Sequence, residues 1–447
     1  MLLTPGRLTN RRPGVAIPLV ILFLPLLAAA FALAVTLSSN HHTQLELQVA
    51  ADAAALAGTN AEAPSFLVEP LNANSPLVPD ILLTDRADRL SVMLANAQQA
   101  ADVYGQFNLV SGNGLILAAN PTNNPNGELV FGTRDAQTAP FVPAVVSPLP
   151  TPDLYNPSFN AVIVQVQRSN VRAVSRTYLD RDVFGFKVNG SSDVLTSSSN
   201  PNIPAIPVVP VGILTDYTNA TSNPNSWESN IIQRNGPDIY RASPGGGVVV
   251  NPDGIPEIQI RISGNLTDNG QLIAIGAPSN VNAVSDALGQ ITDGITGAQL
   301  SAYDPVNQQL SLFNASTGLN QQMLPQLTPQ VSELATLEAN MVKIIGQRRV
   351  WMLFDQVAPL GTGTQVSVVG FVAARVMNVS NETDGGGNVT TVIVTLQPTM
   401  LLTSTALTDR TKRQLGPRTV PQTQNPQDPT NKNSIFNPYI ARVRLVN

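Results

Sequence analysis

The sequence predicts an α+β protein in which an N-terminal transmembrane helix continues into an alanine-rich helix, followed by a β-rich extracytoplasmic region with a few helices. Three observations lead to this prediction. A charge-free apolar run occupies residues 15–37, an alanine-rich stretch follows it, and strand-like runs separated by Gly, Pro and Asn turns fill the remainder. With 447 residues, the chain is long enough for more than one domain.

The apolar run Val15–Leu37 contains 23 residues without a charge. As a helix it measures about 34 Å, at about 1.5 Å per residue, which is enough to cross the hydrocarbon core of a bilayer. Arg7, Arg11 and Arg12 precede it, so the positive-inside bias orients the N-terminus towards the cytoplasm and the bulk of the chain outside. A cleaved secretory signal stays an alternative, because the small residues within Ala28–Ala32 fit a peptidase site.

The second predicted element is an alanine-rich, membrane-proximal helix over residues 38–63. Gly58 stands where a C-terminal cap belongs, and Pro64 prevents continuation. Small side chains let a second helix approach closely. We therefore predict a helix-packing interface formed by Gln48, Ala50, Ala51, Ala54, Ala57 and Gly58. The alternative is a stalk helix that packs only on the chain's own downstream domain.

The span after "RRPG", together with "QVAADAAALAG" at Gln48–Gly58, resembles the N-terminal module of the TadE/TadG-like proteins of Flp (tight adherence) pilus assembly. The resemblance implies a non-enzymatic pilus-assembly or pilin-like component of the bacterial inner (cytoplasmic) membrane. Its implied partners are the lipid bilayer and other pilus-assembly or pilin-like proteins, bound through the N-terminal helix. Whether the chain also forms homo-oligomers is left open by the sequence. One departure is Leu19, which stands where pilin-type processing after Gly14 would need a Glu, so prepilin-peptidase cleavage is not expected.

The outer region divides by composition. We predict a cytoplasmic basic segment at 1–14, a first α+β domain at 64–195, a second β-rich domain at 196–407, and a polar, Pro-rich tail with a terminal strand at 408–447. The predicted helices are Asp85–Tyr104 and one that begins at Thr328 and Pro329; three strands are predicted between Arg348 and Pro398, the last two joined by a Gly-rich turn.

Composition excludes several kinds of site. The chain has no cysteine, and its two histidines, His41 and His42, are adjacent. Disulfides, thiolate catalysis and a Ser-His-Asp triad in the outer domains are therefore excluded. The Gly-rich segments lack the spacing of a phosphate-binding or dinucleotide-binding loop. We predict no catalytic, cofactor-binding or metal-binding residue and no cofactor, and the net charge of -5 argues against a nucleic-acid partner.

Two weaker alternatives remain from the sequence. Asp180 and Asp182 are a pair of carboxylates that could serve a carbohydrate-active outer domain, although the intervening Arg181 favours a charge-compensated turn. Asp253 and Glu257 could contribute oxygen ligands to calcium but lack the repeat of an EF-hand loop. A further structural alternative is an envelope or surface adhesion protein that uses the same anchor outside a pilus.

Overall fold

The computed structural model describes residues 16–62, 97–120, 123–134, 140–143, 160–168, 171–180, 183–187, 206–216, 223–242, 247–276, 283–314, 319–360, 363–399, 401–403, 405–408 and 439–446. A long N-terminal helix precedes a β-rich region with a few short helices, which confirms the predicted α+β class. The α-helices of the described residues are α1 (Ala16–Glu62), α2 (97–107), α3 (Ala283–Asp293), α4 (Gly297–Tyr303) and α5 (Val331–Lys343), and a short π-helix spans Glu228–Ile232.

Helix α1 runs without interruption for 47 residues, so the apolar run and the alanine-rich stretch form one helix. The predicted cap at Gly58 is wrong, because the helix continues to Glu62. Gly58 lies inside the helix and packs beside Ala101 of α2, and this tertiary contact holds it in helical conformation. Pro64 follows the observed end of the helix closely, as expected for a residue that cannot continue it.

Helix α5 begins two residues later than the sequence predicted. Gln330, rather than Thr328, is the N-cap, and the Glu333 carboxylate accepts a hydrogen bond from the backbone N–H of Gln330 at 2.6 Å. This reach-back contact satisfies a backbone donor at the helix start, where intrahelical partners are missing. Just after the helix, Gly346 adopts a left-handed φ of 82°, a conformation that is common where helices end.

The strands follow in chain order. The first seven are β1 (Leu109–Val110), β2 (Asn113–Gly114), β3 (Leu129–Thr133), β4 (Val142–Pro143), β5 (Ala161–Arg168), β6 (Val171–Asp180) and β7 (Val183–Lys187). The next nine are β8 (Val208–Leu214), β9 (Tyr240–Ala242), β10 (Val248–Val250), β11 (Ile258–Ile262), β12 (Gly270–Ile273), β13 (Gln309–Ser311), β14 (Phe313–Asn314), β15 (Leu319–Asn320) and β16 (Gln322–Leu327). The last six are β17 (Arg348–Leu360), β18 (Gly363–Thr383), β19 (Val389–Pro398), β20 (Leu401–Leu402), β21 (Ala406–Thr408) and β22 (Ile440–Val446).

The smaller of the two large sheets has six strands in the order β20-β22-β6-β5-β3-β4. Its centre is the antiparallel hairpin β5–β6, which runs from the pair Ala161 and Tyr178 to the pair Arg168 and Val171. Helices α1 and α2 pack on one face of it and share a buried apolar cluster with β3, β5 and β6. We call this unit the helix-backed sheet. Its helix-facing valines alternate along β5, the period of a strand with one covered face.

The larger sheet has seven strands in the order β11-β19-β18-β16-β12-β8-β17. Strand β17 also pairs with β18, antiparallel, and with β8, parallel, so that β17, β18, β16, β12 and β8 form a ring. We call it the closed sheet. Three strands predicted from the sequence, here β17, β18 and β19, are confirmed, and the Gly-rich turn between β18 and β19 places Gly387 at a φ of 82°.

Two strands, β7 and β22, make contacts across the predicted domain limits. Strand β7, from the predicted first domain, pairs with β13 and β21 of the predicted second domain. Strand β22 pairs antiparallel with β6, while Tyr439 and Ile440 at its start belong to the apolar core of the closed sheet. The predicted domain limits are therefore crossed by backbone hydrogen bonds in a separate three-stranded sheet, β13-β7-β21, and the two large sheets share core residues at the start of β22.

Candidate functional site

The first feature of the candidate site is the exposed apolar part of α1. Every described side chain from Phe23 to His42 is exposed, including Phe31, Leu33 and Leu37. The stretch Phe23–Thr59 contains an apolar segment in which no residue is buried. Among the described residues, α1 is the one helix that is both long enough and apolar enough to cross a membrane. Arg7, Arg11 and Arg12, the predicted orientation residues, lie outside the described residues.

Beyond this part, one face of α1 becomes fully covered. Ala50, Ala51 and Ala54 are 0% exposed, and Leu47 and Ala55 are equally buried. Their partners are the side chains of α2 and of the helix-backed sheet. The close helix approach that the alanines permit is thus made inside the chain, with α2.

Geometry explains why small residues stand here. A Cβ added to Gly105 of α2 would lie 3.7 Å from the Cβ of Ala54, and one added to Gly58 would lie 3.5 Å from that of Ala101. The backbones of α1 and α2 are therefore separated by little more than methyl groups. Substituents larger than a methyl group have no room between them.

The remaining predicted interface residues lie at the margin of the buried face. Ala57 is partly exposed. Gln48 is half-buried and donates from Nε2 to Asp52 Oδ1 at 2.7 Å and to the carbonyl of Val174 at 3.2 Å. These contacts align the start of the buried face with β6. Asp52, the one charge of the motif, lies outside the buried set, as expected for a residue that does not pack.

Polar contacts fix the far end of α1 on the sheet. The hydroxyls of Thr59 and Thr177 are 2.5 Å apart, and the Thr177 hydroxyl also donates to the carbonyl of Ala55 at 3.1 Å. These contacts are buried, where a hydrogen bond is strengthened by low polarity and its loss leaves an unpaired group. Register between α1 and β6 is therefore set at two points, Gln48 and Thr59.

The opposite face of α1 is apolar and uncovered. Leu45 is 67% exposed, Val49 58% and Leu56 39%, and Ala53 lies between them along the helix. Spacings of four, four and three residues place all four on one stripe. We call these residues the outer stripe. The helix thus has a covered alanine face and an uncovered aliphatic face at the same height.

The two histidines lie on different sides of the helix exit. His42 Nε2 is 3.0 Å from Glu46 Oε1, one turn further along. The same Glu46 accepts a hydrogen bond from the backbone N–H of Ser111, at the tip of the β1–β2 hairpin, at 2.8 Å. Among the described residues no group of three or more His, Cys, Asp or Glu is placed to hold a metal ion.

The carboxylates considered for catalysis or for calcium binding have structural partners where the structure describes them. Asp180 Oδ2 accepts from Arg444 Nε at 2.7 Å and from the Thr408 hydroxyl at 2.7 Å, while Asp182 lies outside the described residues. Asp253 accepts from the backbone of Ile255, and Glu257 accepts from that of Tyr240 at 2.8 Å. Asp180 therefore links β6 to β22, whereas Asp253 and Glu257 accept hydrogen bonds from backbone N–H groups.

A buried acid in the closed-sheet region escaped the sequence analysis. Burial raises the pKa of Glu228 to about 8, and the nearby Asp216 carboxylate acts in the same direction. The hydrogen bond that Glu228 accepts from the Thr215 hydroxyl acts in the opposite direction and lowers this pKa. Trp227 beside it is fully buried and meets Tyr439 edge to face, with ring centroids 5.5 Å apart. No local signal marks Glu228, because its hydrogen-bond partners Thr215 and Asp216 lie more than ten positions earlier, just after β8.

Residues 14–62 match the family model described as putative Flp pilus-assembly TadE/G-like. The match coincides with α1, including both its exposed apolar part and its buried alanine face. It confirms the resemblance drawn from the N-terminal motif. No curated protein and no solved structure matches the chain.

Proposed function

We propose that this chain is a non-enzymatic, membrane-anchored component of a bacterial Flp-type pilus-assembly system. The observation that carries the proposal is the coincidence of the TadE/G-like match, residues 14–62, with a single uninterrupted helix. That helix has an exposed apolar part suited to lipid and an alanine face that is bound to the outer sheet. The N-terminus lies in the cytoplasm and the sheets lie outside the inner membrane.

The mechanism is mechanical. Because α1 continues from the span into the helix-backed sheet, with its alanine face buried and its register fixed at Gln48 and Thr59, the outer region is attached to the membrane without a flexible joint at the helix exit. Lateral contacts with other pilus-assembly helices then use the outer stripe. Its exposed leucines and valine supply the apolar area that the buried alanines no longer offer to a partner.

Disulfide cross-linking tests the lateral contact, since the chain has no native cysteine. We expect Val49→Cys, at 58% exposure, to form a disulfide with a second Val49→Cys copy in oxidised membranes of cells that express the pilus system, or with a cysteine introduced into the facing helix of a pilus-assembly protein. The matched control is Val250→Cys, which is 77% exposed on β10, far from the stripe in sequence, and should stay monomeric.

Equal cross-linking of both variants, or none for Val49→Cys, would contradict lateral packing through the outer stripe. Membrane attachment is tested separately by alkaline extraction of the same membranes. The full chain should stay with the bilayer, and its release as a soluble protein would refute the anchor.

A further inference from the structure

A pocket lies between the helix exit and the end of the β5–β6 hairpin. It measures about 180 Å³ and is lined by Leu37, Asn40, His41 and Gln44 of α1 and by Val171 and Arg172 of β6. The four helix residues recur at spacings of three, four and seven from Leu37, so they share one face of α1. This face is distinct from the outer stripe and continues the buried alanine face towards the membrane, because Gln44 and Leu37 lie seven and fourteen residues before Ala51.

The height of the pocket follows from the apolar run. Leu37 is the last residue of that run and stands at the edge of the hydrocarbon if α1 spans the bilayer, as the proposed function holds. Asn40 and His41 lie about 5–6 Å further along the helix, at about 1.5 Å per residue. The polar layer of a bilayer is about 5–8 Å thick on each side. The pocket therefore opens at the level of the lipid headgroups.

The lining changes in polarity in the same direction. Leu37 and Val171 supply apolar surface, whereas Asn40, His41, Gln44 and Arg172 supply amide, imidazole and guanidinium groups. A guanidinium presents a planar fork of donors that matches phosphate oxygens. A glycerophospholipid has the same order of groups, with acyl chains below and phosphate above.

Arg172 supplies the guanidinium charge of the pocket, because the neighbouring charged side chains are bound to other partners. Arg172 is exposed, and its Nη2 reaches Gln165 Oε1 only at 3.5 Å. The neighbouring Arg168 is bound to Glu128 at 2.7 Å. The nearest acid on the helix, Glu46, contacts His42 and Ser111 instead.

We propose that this pocket binds the phosphate of an anionic glycerophospholipid in the outer leaflet, with Arg172 as its main ligand and Asn40, His41 and Gln44 as further polar contacts. A bound headgroup would give the outer region a second attachment beside α1. One helix alone permits rotation and tilt, whereas a helix and a hairpin end held at the same surface restrict both.

Native mass spectrometry of the full chain in detergent micelles, titrated with phosphatidylglycerol, tests the proposal. Because a hydrogen bond to a charged group is lost, we expect Arg172→Gln to weaken phosphatidylglycerol binding about tenfold or more. Arg172→Lys, which keeps the charge but loses the fork, should fall between it and the parent chain. The matched control is Arg176→Gln, which removes an exposed arginine from the same strand and should leave binding unchanged.

Three results would overturn the proposal. Equal losses in Arg172→Gln and Arg176→Gln would show attraction to net charge alone. Equally tight binding of phosphatidylcholine would remove the preference for an anionic lipid, and displacement of the lipid by inorganic phosphate would assign the pocket to a free anion. Alkaline extraction reports separately on the anchor, so failure of the lipid site and failure of membrane attachment are distinguishable.

Discussion

The two sheets are packed with opposite kinds of side chain. The helix-backed sheet meets α1 and α2 through Ala50, Ala51 and Ala54, which bring backbones close together. The closed sheet is filled by large side chains such as Trp351 and Phe371. In the helix-backed sheet, the packing leaves little space between the two helices. In the closed sheet, the packing depends on large side chains that fill the core. Their sensitivities to mutation should therefore be reversed.

Removal of volume should do most damage in the closed sheet. Phe371 is 0% exposed and meets Phe186 edge to face, with ring centroids 4.9 Å apart. We expect Phe371→Ala to lower the free energy of unfolding by about 3–5 kcal/mol, because the lost contacts leave a cavity. Urea denaturation measures this change. The buried, volume-conserving control Met352→Leu should cost less than about 1.5 kcal/mol, and equal losses would contradict the comparison.

The large core also buries carboxyl groups, which makes this region sensitive to pH. Glu228 has a folded pKa of about 8, raised above the ordinary glutamate value, so the fold favours its neutral form. Its contribution to stability is complete below about pH 4.5 and is lost as the pH rises through about 8. We expect the free energy of unfolding to fall by at most about 3 kcal/mol between pH 5 and 8 from this group.

The measurement is chemical denaturation at several pH values. Glu228→Gln, a neutral side chain of similar shape, should remove most of the decrease. A smaller decrease should persist from Glu257, whose pKa burial raises to about 7. An unchanged pH dependence in Glu228→Gln would show that Glu228 is charged in the fold.

Addition of volume should do most damage in the helix-backed sheet. Ala54 is 0% exposed and faces Gly105 of α2, so Ala54→Leu must push the two helices apart. We expect a loss of about 1–3 kcal/mol in the free energy of unfolding. The same substitution at the neighbouring Ala53, which is partly exposed on the outer stripe, is the control and should be nearly neutral. If Ala53→Leu costs as much, the asymmetry between the faces of α1 is not what limits packing.

Local signals predicted much of this fold. The uninterrupted helix, the strands β17 to β19 and the turn at Gly387 follow from residue patterns within a few positions of each other. The pairing of β17 with β8 depends on Val350 meeting Val208, and no local pattern encodes such a contact. The sequence therefore predicted the secondary-structure elements better than it predicted which strands pair with each other.

The candidate site shows the same limit. Composition identified the alanine motif and its suitability for close packing, and the family match agrees with it. The alanines are covered by α2 and the β5–β6 hairpin. The alanine motif itself contains no information about these partners. The pocket at Arg172 was equally inaccessible, since Arg172 and Leu37 come together only through the register of β6 on α1.

Strand β22 has a consequence for the order in which the molecule is completed. Asp180 on β6 and Arg444 on β22 form an ion pair although 264 positions separate them along the chain. In a chain exported from its N-terminus, α1 and β6 reach the outside long before β22 does. Until then the edge of β6 is an open template for pairing with any other strand. Under the proposed topology, the helix-backed sheet stays unfinished throughout export, and a chaperone or a neighbouring copy that shields β6 would protect it during that interval.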